Sequence, residues 1–245
     1  MRAAAHQPHY FPWVGYFDKM AKSDQFILMD TVQLEKRSPM TRNRMLAPDG
    51  ELRYISISAN QSGHREKEYR EIPLSKDTDW RGKNLSILQA YYRKAPFYQE
   101  VMKLLESYFA RDFQTLCECT IASVYLVKEL LRIPTRPVLQ SQLTYDRGQR
   151  KSDLILELCL ASGANIYVSG RGASMNYLDR EKFAENGVKI VFQDFQHPVY
   201  PQCNAKEFVP GISVLDMLFN CGIEESRRIF WENVNSTHEF EGSKE

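Results

Sequence analysis

The chain has 245 residues, with 32 lysines and arginines against 31 aspartates and glutamates, a formal net charge of +1. That balance argues against a general binder of nucleic acid or of acidic membrane surfaces, which recruits a basic excess, though it leaves room for a local basic pocket. At 43% hydrophobic and 26% charged residues, the composition is that of an ordinary globular protein with length enough to bury a core.

Residues 1–7 open as a short apolar stretch and predict a first strand. Residues 6–17, HQPHYFPWVGYF, then concentrate two histidines, two prolines and five aromatic rings around one glycine. Residues 13–22 have helical spacing, with Val14, Phe17 and Met20 on one side. Residues 25–30 form a continuous apolar run ending in a carboxylate, the pattern of a strand buried on both faces of a parallel sheet. A βαβ unit is therefore expected within the first thirty residues.

Pro48-Asp49-Gly50 marks a turn between two extended runs, and Ile55 and Ile57 alternate with serines, so a hairpin is expected. Residues 60–80 are polar and aperiodic. A loop of that length reads as a binding loop or lid, expected to move over residues 60–76. Residues 79–133 read as mainly helical, divided at Pro96. Phe113, Leu116, Cys117, Thr120, Ile121, Val124 and Lys128 form one stripe. Pro134 and Pro137 end the segment, and Val138-Leu139 suggests a short strand. Residues 152–162 form an apolar helix capped by Gly163. A strand at 166–169, a helix at 180–186 and a strand at 188–192 imply more parallel sheet. Helices are expected at 213–220 and 224–233. Ser213 with Asp216 resembles a capping box. The reading is one α/β domain over residues 1–235, with a helical segment at 79–133 and a frayed tail at 236–245.

Five cysteines without a CxxC pair, three of them in apolar helical runs, predict buried free thiols and a reducing compartment. No basic, apolar leader and no run long enough to span a bilayer is visible, so a cytoplasmic location is expected.

Several stretches could carry chemistry. Gln7–Trp13 would sit at the C-terminal edge of the first strand, where open α/β sheets bind ligands. His6, Gln7, Tyr10, Trp13 and Tyr16 are candidates there, with Asp30 on the same edge at the end of the second strand. The aromatic rings also suit simple packing, and His9 is the weaker of the two histidines as a candidate. KRSPMTRNR places Lys36, Arg37, Arg42 and Arg44 around Asn43. It reads either as a solvated loop or as an anion pocket, since a guanidinium fork suits phosphate or carboxylate. On an extended arm Arg42 and Arg44 would share one face, with Asn43 opposite. Ser169-Gly170-Arg171-Gly172, followed by Tyr177, could bring backbone amides to a ligand or simply turn the chain. It is neither a Walker loop nor a dinucleotide fingerprint, so no cofactor follows. His197 lies in a proline-rich loop with Asp194, Tyr200 and Gln202, as a catalytic or a structural group. The HxxH of His6 and His9 lacks a third ligand, so no metal is expected.

Taken together, HQPHYFPWVGYFDKM, RNRM, YVSGRGASMNYLD, FQHPVYPQ and FVPGISVLDMLFNCG resemble the WbqC-like family, in order and across nearly the whole chain to Gly222. The polar positions within the resemblance are Gln7, Tyr10, Tyr16, Asp30, Arg42, Asn43, Arg44, Ser169, Tyr177, His197, Tyr200, Gln202 and Asp216. The resemblance implies a role beside surface-polysaccharide biosynthesis, O-antigen included, as a glycine transferase or amidotransferase. FPWVGYF is also similar to the segment of adenylyltransferases and pantothenate synthetase that carries HxGH, with Trp13 and Tyr16 in place of the two histidines that assist phosphoryl transfer.

The expected architecture is a Rossmann-like, mostly parallel sheet with the helical segment packed to one side. The expected function is an acyl- or amino-group transferase acting on a sugar or sugar nucleotide. His6 or Asp30 would be the general base, with His197 a further catalytic candidate. Gln7, Tyr10, Trp13, Tyr16, Arg42, Asn43, Arg44, Ser169, Gly170, Arg171 and Tyr177 would bind a small, anionic substrate. The rival readings are a nucleotide-dependent adenylating enzyme and a non-catalytic binding protein of a biosynthetic assembly.

Overall fold

A computed structural model describes residues 1–172 and 174–240. Its sheet is organised around the first strand, β1 (Arg2–His6), whose Ala3, Ala4 and Ala5 are buried. Such small side chains let helices approach closely from both faces. The chain then forms α1 (Val14–Ala21) and β2 (Gln25–Leu28), giving the expected βαβ opening. β2 lies parallel to β1, in register from Ala3↔Gln25 to His6↔Leu28.

The hairpin follows as β3 (Arg42–Leu46) and β4 (Leu52–Ser56), a separate two-stranded sheet. The helical segment supplies α2 (Trp80–Tyr92), α3 (Tyr98–Phe109) and α4 (Leu116–Leu130). Thr115 and Glu118 form a capping box at the start of α4, satisfying orphan amide donors there. Next come β5 (Arg136–Leu139), α5 (Lys151–Ser162), β6 (Ile166–Ser169), α6 (Ser174–Tyr177), α7 (Arg180–Glu185) and β7 (Lys189–Gln193). The long α8 (Val214–Ser236) and the short β8 (Glu239–Phe240) complete the order.

The main sheet runs β5-β2-β1-β6-β7-β8, parallel except for β8. This is an α/β, Rossmann-like architecture. One hydrophobic cluster gathers α1, α2, α3, α4 and α8 on the side of Ala4, so the helical segment packs to one side as expected. The other cluster places α5 and α7 against Ala3 and Ala5. Strand order reverses between β1 and β6, which pair at only two positions, Arg2↔Ile166 and Ala3↔Tyr167. Beyond Ala3 the two strands part, opening a crevice at their C-terminal ends, where doubly wound sheets bind ligands.

Three expectations change. The tail does not fray throughout: β8 adds antiparallel to the open edge of β7, Phe240 packs on Phe192, and the Arg2 guanidinium pairs with the Glu239 carboxylate. Residues 241–245 of that tail lie outside the described residues. The two closing helices are one element with a kink at Gly222 (φ 75°), where a Cβ would fall 2.5 Å from the Phe97 ring. The stretch at 60–76, expected as a lid, is anchored at Tyr69 and Arg70 and lies away from both cavities described below. Tyr69 is buried and donates its hydroxyl to the Met40 carbonyl, and the Arg70 amide donates to the Asp30 carbonyl. Among the described residues no helix is long and apolar enough to cross a membrane, and all five cysteines are free.

Candidate functional site

The aromatic opening is pinned from three sides. Phe11 adopts a left-handed backbone (φ 40°) although it is not glycine, a conformation that persists only where the surroundings over-determine it. Its amide donates to Ser123 Oγ on α4 at 3.0 Å. Its carbonyl accepts from Asn43 Nδ2 on β3 at 2.6 Å and from Ser213 Oγ at the start of α8 at 2.8 Å. Asn43 also donates to the Tyr10 carbonyl. Trp13 then folds back over Gly15, where a Cβ would come within 2.4 Å of the indole. Trp13 is 36% exposed, and it forms the wall between two cavities.

The larger cavity, about 680 Å³, occupies the crevice between β1 and β6. His6 and Gln7 enter it from the end of β1, Tyr16 and Lys19 from α1, and Ser169, Gly170 and Arg171 from the end of β6. Lys151, Tyr167, Ser174, Tyr177 and Gln193 add to its polar lining. The His6, His9 and Tyr16 rings form a cluster with centroids 4.4–5.4 Å apart. Burial is the main force lowering both histidines, His6 well below its usual value and His9 to about 3, and the nearby Lys19 charge adds to it. His6 Nδ1 lies 3.2 Å from the Gln7 carbonyl oxygen. A carbonyl only accepts, so this bond needs the proton on Nδ1 and leaves Nε2 with a free lone pair.

Lys19 is the group that sequence reading did not single out. It is only 5% exposed, and Nζ donates to the Ala5 carbonyl at 3.1 Å, just beyond the point where β6 leaves β1. Its neighbour Asp18 does not pair with it: Asp18 Oδ2 accepts from Lys22 at 3.0 Å and from Gln193 Nε2 at 2.6 Å. Among the described residues no carboxylate pairs with Lys19. Desolvation therefore acts unopposed and lowers its amine to about 7, so that near neutral pH a large fraction is an uncharged nucleophile or base. The burial of Asp18 raises that carboxyl's proton affinity, against the pull of Lys22.

The smaller cavity, about 390 Å³, is lined by Arg37, Arg42 and Arg44 with His9, Trp13 and Tyr54. The alternation along β3 is the expected one. Asn43 is buried with its amide turned to the opening turn, though it also borders the cavity that the flanking arginines line. The candidates thus fall into two groups. His6, Gln7, Trp13, Tyr16, Ser169, Gly170, Arg171 and Tyr177 come together in the crevice, and Arg42, Asn43 and Arg44 lie beyond Trp13.

Three candidates line neither cavity. Tyr10 is wholly buried and its hydroxyl accepts from Asn84 Nδ2, so it is core rather than a substrate contact. Asp30 accepts from the Ser141 amide at 2.8 Å and hydroxyl at 2.6 Å, fastening the segment after β5 instead of facing the crevice. His197 packs beside Trp13 among Phe195, Tyr200 and Phe208, outside both cavities. Asp216 does not complete a capping box either. Its carboxylate accepts from Tyr92 and Gln202 in a buried network. No group of three or more His, Cys, Asp or Glu suited to a metal ion occurs among the described residues.

The chain matches the WbqC-like protein family over residues 7–228. It is 31% identical over 225 residues to the uncharacterized protein Rv1507c of Mycobacterium tuberculosis, covering 91% of this chain and 95% of that protein. No solved structure matches it.

Proposed function

This chain belongs to the WbqC-like protein family, and we propose that it is a transferase moving an acyl or amino group, glycyl or amido, to a sugar or sugar nucleotide in surface-polysaccharide biosynthesis. The observation that carries this reading is the unpaired, buried amine of Lys19 in the wall of the crevice. A general base works best when its proton affinity lies near the working pH, and about 7 meets that condition. The buried histidines hold protons too weakly to serve as well.

In this mechanism the attacking amine forms its bond to the acyl carbon as Lys19 Nζ takes its proton. The leaving group departs with the electron pair of the broken bond and receives that proton. Trp13 and Tyr177 offer faces for a sugar ring, and Ser169, Gly170 and Arg171 hold its polar edge. His6 Nε2 accepts a hydrogen bond from substrate.

The test is genetic and chemical together. In a strain lacking the gene, loss of the modified glycan is restored by the wild-type chain and not by Lys19→Met or Lys19→Arg. Rescue by both variants overturns the catalytic reading in favour of a non-catalytic binding role. Release of pyrophosphate from a nucleoside triphosphate by the purified protein overturns it in favour of an adenylating enzyme.

A further inference from the structure

The arginine cavity is not needed for proton transfer, yet it concentrates charge in a chain that otherwise balances it. Arg37, Arg42 and Arg44 line one space of about 390 Å³, and no carboxylate pairs with any of the three among the described residues. Their visible partners are neutral. Arg42 Nε donates to the Arg37 carbonyl at 3.1 Å, Arg44 Nη2 donates to the Gly211 carbonyl at 2.6 Å, and the Arg42 guanidinium lies 4.0 Å from the Tyr54 ring centroid. These contacts orient the guanidinium planes without neutralising them. Arg44 stands directly across the hairpin from Tyr54, and Arg37 is held in a left-handed backbone conformation (φ 58°) at the mouth.

Like charges gathered in a half-enclosed space repel one another more strongly than in open water. An oxyanion with several equivalent oxygens relieves that repulsion and fits the guanidinium forks two at a time. Among the described residues Trp13 is the one side chain common to both cavities, so a ligand held by the arginines would reach the crevice by passing over its indole.

We propose that the arginine cavity binds the phosphate or diphosphate of a phosphorylated substrate, whose remaining part crosses Trp13 toward Lys19. This rests on the transferase reading of the crevice and narrows it: the substrate is a phosphate ester of a sugar, free or nucleotide-linked, and not an unphosphorylated sugar.

Calorimetric titration tests it with inorganic pyrophosphate, a nucleoside diphosphate, a sugar phosphate and the matching free sugar. The wild-type chain is expected to bind the phosphorylated probes and not the free sugar. Arg42→Ala is expected to weaken binding about tenfold or more, with Arg42→Lys recovering part of it. Arg44→Ala follows the same direction, and because Arg44 also holds Gly211, its melting temperature is recorded beside its affinity. Lys19→Met is expected to bind pyrophosphate as the wild type does, which separates a failure of this inference from a failure of the catalytic reading. Tighter binding of the nucleoside diphosphate than of pyrophosphate identifies a nucleotide-linked substrate, and equal binding a simple phosphate ester. Absence of pyrophosphate binding at millimolar concentration, equal affinity in Arg42→Ala and wild type, or free sugar binding as tightly as its phosphate, each overturns the proposal.

Discussion

The crevice and the arginine cavity share one wall, Trp13, but hold opposite kinds of polar group. In the crevice, burial weakens the hold of Lys19 and His6 on their protons. The arginine cavity is lined instead by three guanidinium groups with no carboxylate paired to them among the described residues. The difference teaches that one site is governed by acidity and the other by ionic strength, since half-exposed charges are screened by salt and a desolvated amine is not.

The largest effect that sharpens this contrast belongs to Lys19. In the unfolded chain its amine keeps its proton up to about 10.5, and in the folded chain only up to about 7. Between those values the unfolded state binds more protons, so stability rises with pH by about 1.4 kcal/mol per unit. Below about 7 both states are protonated and the destabilisation is greatest. Lys19→Met is therefore expected to melt several degrees higher at pH 6 and to lose the rise on going to pH 9. Urea denaturation at both pH values checks this, and a variant that keeps the slope would break the contrast.

Next in size is Asn43, whose side chain serves both sites by fixing the turn between them. Asn43→Ala leaves the Phe11 and Tyr10 carbonyls short of a donor and is expected to cost about 1–3 kcal/mol, weakening pyrophosphate binding as well. Intact pyrophosphate binding in a destabilised Asn43→Ala chain would show that the cavities are built independently. Asp30→Asn is expected to cost about 1–3 kcal/mol through its bonds to Ser141 while leaving glycan rescue intact. Loss of rescue in a folded variant would return Asp30 to the chemistry. The smallest effect is that of Gly15→Ala. The added methyl displaces the Trp13 indole, at a cost of about 1–3 kcal/mol that outward rotation of the half-exposed ring keeps at the low end. Tryptophan fluorescence reads the displacement, and an unchanged emission spectrum would mean the partition holds without Gly15.

Much of the frame was legible because it depends on local pattern. The apolar run at 25–30, the turn at Pro48-Asp49-Gly50 and the glycine after residue 162 each act over a few residues, and each produced the expected element. The edge position of His6 and Gln7 followed from the strand they end. Lys19 was illegible for the opposite reason. Beside Asp18 and Lys22 it reads as part of a solvated helical face, and only the assembled sheet buries it, through the Ala5 carbonyl of β1 and the Phe26 ring of β2. That His197 and Asp30 lie outside both cavities was illegible, because a polar residue at a strand end or in a proline-rich loop gives no sign of which way it faces. His197 packs beside Trp13, and Asp30 is captured by Ser141, 111 residues later. The tail misled because its partner, the open edge of β7, is a property of the assembled sheet.

The closure of the opening turn by Ser213 has a consequence for how the chain is made. The Phe11 carbonyl waits for a hydroxyl 202 residues further along, and the Val214 amide that bonds Pro12 arrives with it. A ribosome releases the aromatic stretch long before α8 exists to cover it. Such separated contacts slow folding, and transiently uncovered apolar surface is prone to associate with other chains. During synthesis residues 6–17 are thus a natural landing place for a chaperone. Truncation before residue 213 is expected to turn a well-behaved protein into one that aggregates from its first twenty residues.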